Sequence, residues 1–469
     1  MNRISQPYRC DGIQAPAVTR RDMLRTLTTG FGYMAFAGIA SGAASADKSL
    51  LLPRQPHFAA RAKRVIFLAM EGAVSHVDTF EYKPQLTRDD GKAGNGRGDS
   101  QFLGSPFSFA QYGNSGQWVS ELFPNVAQHT DELCFLRGMW TDAPPFHPQA
   151  FAHLHTGSAL FVRPSMGSWV LYGLGTENQN LPGFITIKPP LAIGGAQSYG
   201  SAFLPAVFQA SRIGESKTKV QNCSIGNIAN PHFSAGTQRD QIDLVQAFNN
   251  DLKQHGNLRN QVEGVIESFE LAYRMQAEVP DVTDLTKESP ATLAAYGIGS
   301  EPTDDFGRQC LLARRFAEAG VRFIEVCYDD WDHHQNLRTG LKKSCAATDK
   351  PIAALLQDLR ERGLLEDTLV LWGSEFGRTI DPPKRDGRDH NAKGYTMWMA
   401  GGGVKPGFSY GAQDEHGAEA VEGKMDHHDL HATILHALGL DHEKLTYRYA
   451  GRDFRLTDVK GNVHKEIFA

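Results

Sequence analysis

From Val65 to Met70 the chain runs through consecutive apolar residues, too few for an ordinary helix, and Glu71-Gly72 ends the run. A continuous apolar segment of that length predicts a strand buried on both faces, as in a parallel sheet. Two later segments extend the pattern. A helical stretch over 305–319 passes through Gly320 into an apolar run at 321–326, and another over 349–362 passes through Gly363 into 368–372. Glycine just past the last turn ends a helix by adopting the left-handed conformation. Helix, glycine and strand in this order predict an open α/β sheet that holds ligands beyond the carboxyl ends of its strands.

Between about Arg239 and Gln276 the apolar residues recur at helical spacing among many polar ones, which predicts a helical excursion packed on the main domain. Gly/Asp-rich sequence at 88–116 and Gly-rich sequence at 401–411 predict long surface loops of the kind that border active sites.

These elements sit in a chain of 469 residues with 48 Lys+Arg against 53 Asp+Glu, a formal charge of −5. It has no long basic run, so the charge that nonspecific nucleic-acid binding needs is missing and nucleic acid is excluded as a main partner. Arg20-Arg21, with Met23 and Leu24, precedes an apolar stretch diluted by Gly30, Gly32 and Gly38, and Ala44-Ser45-Ala46 supplies a small-x-small site before Asp47. This predicts a twin-arginine signal peptide over 1–46, read by the twin-arginine export machinery, with delivery to the periplasm or the cell exterior. A retained membrane anchor is the alternative. Cleavage removes five arginines and two acids and takes the formal charge from −5 to −8. A polar linker, 47–62, then leads to one domain, 63–469, which contains the helical insertion at about 239–276. The five remaining cysteines lack metal-type spacing and argue against a disulfide framework.

Acids and histidines gather where strands end. Glu71 follows the first strand; Asp332 and His334 follow the strand ending near Cys327; Glu375 follows the strand ending near Trp372; Asp389-His390 and Asp426-His427-His428-Asp429 come later. Carboxylates and neutral imidazoles are the donors that Zn²⁺, Mn²⁺ or Fe favours, and several strand ends meeting at one edge can supply a two-metal site. For a single Asp or His, capping or solvation competes with that use; a whole set placed after strands and in loops favours a site. Glu375 at the centre of Gly373-Ser374-Glu375-Phe376-Gly377 argues against a hydrolase nucleophile elbow, and Gly401-Gly402-Gly403 lacks the lysine of a P-loop. The planar fork of Arg378 suits a phosphate or sulfate group, and equally a neighbouring carboxylate.

Met70, Gly72, Ser75, Asp78, Thr79, Phe80, Lys83 and Pro84, with Trp331-Asp332-x-His334, Glu375-Phe376-Gly377-Arg378-Thr379, Gly387-Arg388-Asp389-His390 and the stretch from Asp429 to Leu435, resemble the exported DUF1501 family. Its members look like relatives of the alkaline phosphatase and sulfatase superfamily. The resemblance implies a mostly parallel central sheet sandwiched by helices and a one- or two-metal site for hydrolysing phosphate or sulfate esters. By this resemblance Glu71 stands where a first-strand metal-binding acid is usual, and Asp332 with His334 resembles the acid and histidine of the other metal position. Ser374-Glu375-Phe376-Gly377 resembles the superfamily's Ser-Asp-His-Gly, with Phe376 in place of a ligand. His390 is then a candidate to restore that imidazole, and His427 or His428 resembles a late metal-binding histidine. Counting back from Thr156-Gly157 to the superfamily's nucleophile position reaches His147. A histidine there can act as nucleophile, general acid or base, or metal ligand. Nearby His153 and His155 read as structural.

The resemblance therefore implies an exported metal-dependent hydrolase-like protein with one or two divalent ions, zinc or manganese among them, and an anionic ester or polysaccharide substrate. The alternative is a catalytically degenerate exported binding protein for a polysaccharide or cell-surface partner, with Trp331, Trp372 and Trp398 as stacking surfaces. The sequence leaves the oligomeric state open.

Overall fold

The apolar run at the start of the domain folds as β1, Arg64–Met70, with every residue buried. The structure is a computed structural model that describes residues 49–96, 98–223, 225, 233–255 and 259–469. The expected signal at 1–46 lies outside the described residues. From Leu50 to Ala469 the chain forms one unit.

In its main sheet β1 is joined by β2 (Leu133–Met139), β3 (Phe184–Ile187), β4 (Ser211–Ile213), β5 (Phe323–Tyr328), β6 (Thr368–Gly373), β7 (Tyr395–Ala400) and β8 (Phe408–Tyr410). The eight strands lie in the order β8-β2-β7-β6-β1-β5-β3-β4. Neighbours are parallel except where β7 meets β6 and β2. The mostly parallel α/β sheet expected from the sequence is what the chain forms. β5, β1 and β6 are consecutive in it, so their carboxyl ends lie side by side.

Seven described α-helices have nine or more residues: α1 (His147–Thr156), α2 (Met166–Leu174), α3 (Ala235–His255), α4 (Arg259–Thr283), α5 (Asp304–Glu318), α6 (Leu337–Glu361) and α7 (His427–Ala437). The two helix-glycine-strand units are α5 to β5 through Gly320, and α6 to β6 through Gly363, both glycines having positive φ. α6 begins well before residue 349, because Leu337, Leu341, Cys345 and Ile352 carry one buried stripe across Pro351. The expected helical excursion is formed by the two helices α3 and α4, seated on the domain by buried Leu271, Met275 and Val279 of α4. The Gly-rich segment at 401–411, expected as loop, contains the edge strand β8, parallel to β2.

Residues 50–62, expected as linker, pack on the domain. Thr176 N donates to Leu51 O at 2.8 Å, and Arg61 N and Ala62 N both donate to Ala437 O.

Candidate metal centre

Two glycines let the strand ends close on one another. Gly72, directly after β1, has φ +109°, and a Cβ there would stand 2.8 Å from Asp332 N. A Cβ on Gly387 would collide with the His334 carbonyl. Any larger residue would push apart the loops that carry Asp332, His334 and His390. Ala73 (φ +64°) and Asp330 (φ +79°) hold left-handed backbone beside Gly72 and Asp332, a strain on the order of 1–3 kcal/mol each that the surrounding contacts must offset.

The result is a cluster of His147, Asp332, His334 and His390, whose ligand atoms all lie within 4.8 Å of one another. His147 opens α1, where Pro148 suits the first turn and Gly157 ends the helix in left-handed conformation. Each imidazole is anchored through Nδ1. His147 Nδ1 is 2.6 Å from Glu375 Oε1, His334 Nδ1 is 2.9 Å from Asp389 Oδ1, and His390 Nδ1 is 2.7 Å from Pro145 O. These acceptors place a proton on every Nδ1 and turn every Nε2 toward Asp332 Oδ1, at 3.2, 3.2 and 3.5 Å. His147 Nε2 is buried without a hydrogen-bond partner, and the Nε2 atoms of His334 and His390 face each other at 2.8 Å. With both Nδ1 atoms protonated, two neutral rings would oppose lone pairs there, an arrangement that a cation or an added proton relieves. Three imidazoles held by outer partners around one carboxylate are a fitting donor set for a divalent transition metal.

Glu71 and Glu375 border this cluster without belonging to it. Each has a buried Oε2 with no hydrogen-bond partner. Burial, then the charges of Glu375 and Asp329, push Glu71 up to about 8. Burial alone would lower His147, but Asp332 and Glu375 on either side hold it up to about 9. Asp332, which burial would raise, is held far below the usual carboxylate range by His147, His390 and Arg378.

The sequence profile described as "Protein of unknown function (DUF1501)" matches residues 62–468. The chain belongs to the DUF1501 family. No curated protein matches it. Similar solved structures include the lipoteichoic acid synthase LtaP from Listeria monocytogenes, at 10% identity and TM-score 0.36, covering 87% of this chain and 78% of that one. Another is the PsFucS1 sulfatase from Pseudoalteromonas sp., at 14% and 0.36, covering 91% and 73%. A third is a mutant TAB5 alkaline phosphatase with Mg bound, at 10% and 0.35, covering 82% and 99%. Likenesses this distant transfer neither residues nor chemistry to the DUF1501 chain.

Besides Glu71 and Glu375, which are expected as ligands and lie outside the cluster, three further sets of residues stand elsewhere than the sequence reading has them. Arg378 is 1% exposed, and its nitrogens donate to the carbonyls of Gly72, Ala73 and Arg388 and to Asp332 Oδ1. It fixes the strained Ala73 and the cluster's Asp332, so its fork is not turned to an incoming anion. His427 and His428 are not brought to the cluster. His427 Nδ1 faces His153 Nδ1 at 2.7 Å and its Nε2 faces Tyr395 Oη at 2.7 Å, while His428 Nε2 meets Gly157 O. The reason is local: Asp426 and Asp429 form a capping box that fixes both histidines in the first turn of α7. Trp331, Trp372 and Trp398 are all buried and offer no stacking face to a sugar.

The sequence offered Asp389 only as a candidate donor, not as the outer partner of His334, and gave no role to Pro145 or Arg388 in building the site. Arg388 makes a fully buried bidentate pair with Asp78, at 2.6 and 3.1 Å, and Ser75 Oγ donates to the same carboxylate. That pair ties the loop carrying His390 to the segment after β1. The shared presence of Ser75, Asp78 and Arg388 in the family motifs was the available signal.

Proposed function

We propose that this DUF1501 protein is an exported, metal-dependent hydrolase-like protein acting on phosphate or sulfate esters. The observation that carries the reading is the set of three imidazoles whose anchored Nδ1 atoms aim Nε2 at Asp332 Oδ1. His147, Asp332, His334 and His390 would hold the ion. A divalent ion held there would supply Lewis-acid polarisation of an ester oxygen and a bound water of pKa about 7. Glu375 fixes the tautomer of His147, Asp389 that of His334, and the Pro145 carbonyl that of His390. Arg378 holds Asp332 in place from behind. Asp332 and His334 are half-exposed and leave an ester a route in. Glu71, with its carboxyl near 8, is able to hold or release a proton close to neutral pH.

His147→Ala is expected to lower hydrolysis of generic phosphate or sulfate esters by about 10² or more and to reduce bound metal in the same sample. Lost turnover with full metal would make His147 a nucleophile or general acid/base instead of a ligand. A wild-type protein that holds its metal but turns over neither ester class would overturn the hydrolase reading and leave a binding protein.

Export is supported by the Arg20-Arg21 pair and the glycine-diluted apolar stretch after it. Among the described residues no helix is long and apolar enough to cross a membrane. Replacing both arginines with lysine is expected to leave precursor in the cytoplasm; unchanged delivery of the double variant would refute the twin-arginine route.

A further inference from the structure

The approach to the cluster is apolar on the side where α1 begins. Pro144, Pro145 and Phe146, directly before His147, are all exposed, and the Pro145 carbonyl is the acceptor that holds His390. Behind them Phe376 lies against the rings of His147 and His390, with centroids 4.9 and 4.8 Å away. Phe376 forms a small buried cluster with Ala73, Ala143 and Ala150, and Ala159 packs on it. The chain that leaves α1 at Gly157 therefore returns to the residues around the first turn of that helix, and there it presents Leu160, Phe161 and Val162. Exposure runs from 56% for Phe146 to 76% for Leu160. The loop is tied down: Phe161 N donates to Ser158 Oγ at 3.0 Å, and the Arg163 guanidinium lies 4.3 Å from the centre of the Phe454 ring. His334 and Asp389, which also reach solvent at the cluster, are polar. Small-molecule sites combine apolar walls with a few polar groups that fix orientation, and this wall begins one residue from His147.

Resting on the hydrolase reading above, we propose that the substrate is an ester of a hydrocarbon alcohol, a long-chain phosphate or sulfate whose anionic group sits at the ion and whose chain lies along Phe146 and Leu160–Val162. The position of the wall identifies its occupant, because an anion held at His147 and His390 brings the group esterified to it beside Phe146. Each methylene carried out of water onto these side chains adds to binding. A sugar gains nothing comparable: its hydroxyls would lose water against Leu160 and Val162, whose side chains have no donor or acceptor to replace it. Phe146 and Phe161 are then the residues that set specificity, while the cluster itself holds the phosphate or sulfate.

The test compares kcat/KM of the metal-loaded protein for octyl and methyl phosphate, octyl and methyl sulfate, and glucose 6-phosphate, with the octyl esters below their micelle concentrations. The octyl esters are expected to exceed the methyl esters by about 10²-fold, with glucose 6-phosphate no better than methyl phosphate. Phe146→Ser with Phe161→Ser should cut that preference by about 10-fold or more, at unchanged far-UV circular dichroism and metal content. Octylphosphonate, which has no ester bond to cleave, should outbind methylphosphonate by titration calorimetry. Octyl and methyl esters turned over equally well, a preference for the sugar phosphate, or a double variant that keeps the octyl preference would each overturn the proposal and leave the hydrolase reading standing. A protein that turns over no ester yet prefers octylphosphonate would overturn the hydrolase reading and keep the apolar subsite. One that turns over nothing and binds both phosphonates alike would overturn both.

Discussion

Asp332→Ala combined with His334→Ala is expected to strip the protein of its divalent metal, leaving below about a tenth of wild-type occupancy. Asp332 Oδ1 is the point on which all three Nε2 atoms converge, so its loss removes the only carboxylate of the cluster and leaves the buried Arg378 without its anionic partner. Losing His334 as well leaves His147 and His390, too few donors to outcompete water. Cutting the outer partner alone is a milder test of the same geometry: Asp389→Ala frees the His334 ring and should weaken metal binding by about 10- to 100-fold. Metal analysis of the folded variants checks both. Full occupancy in the double variant would sink the ligand assignment.

Much of this centre was legible in the chain because parallel strands leave a strong trace. Continuous apolar runs located β1, β5 and β6, and the acids and histidines just after them, Glu71, Asp332, His334 and Glu375, do meet at one sheet edge. His390 joins them from the Gly-Arg-Asp-His loop. What sequence could not show is direction. Arg378 follows β6 as an anion-binding arginine would, but whether its fork faces solvent or the carbonyls of Gly72 and Ala73 depends on a backbone turn that no periodicity encodes. His427 and His428 match a late ligand by order along the chain, yet the capping box at Asp426 and Asp429 places them in a separate network with His153 and Tyr395. The start of α6 was hidden because a proline and several lysines interrupt its stripe, although buried side chains continue across them.

A second large effect is expected in acid. His76 and His431 are buried, with ring nitrogens on the carbonyls of Gly417 and Leu154. Burial lowers His76 to about 4 and His431 to about 3, the carbonyl contacts opposing it only in part. His153 and His427 are lowered for the same leading reason. An unfolded histidine titrates near 6.5. Below that pH the unfolded chain takes up protons that the folded chain refuses, so stability falls as pH drops from about 6.5 toward the folded values. Glu71, raised to about 8, and His147, raised to about 9, already bind a proton in the folded state over that range and offset part of this loss. The net expectation for metal-free protein is lower stability at pH 5 than at pH 7, by an amount on the order of a few kcal/mol. Urea denaturation at the two pH values measures it, and His431→Gln should remove part of the slope. Equal midpoints at both pH values would mean that these histidines are not kept neutral by the fold.

The most direct test of the metal centre is X-ray absorption spectroscopy on protein purified through its own export route, with metal content measured on the same sample. The account predicts near-stoichiometric divalent transition metal whose nearest shell holds imidazole nitrogens and carboxylate oxygen at about 2.0–2.2 Å, with the imidazole signal lost in Asp332→Ala/His334→Ala. A protein without bound metal, or a metal shell made of oxygen alone, would contradict it.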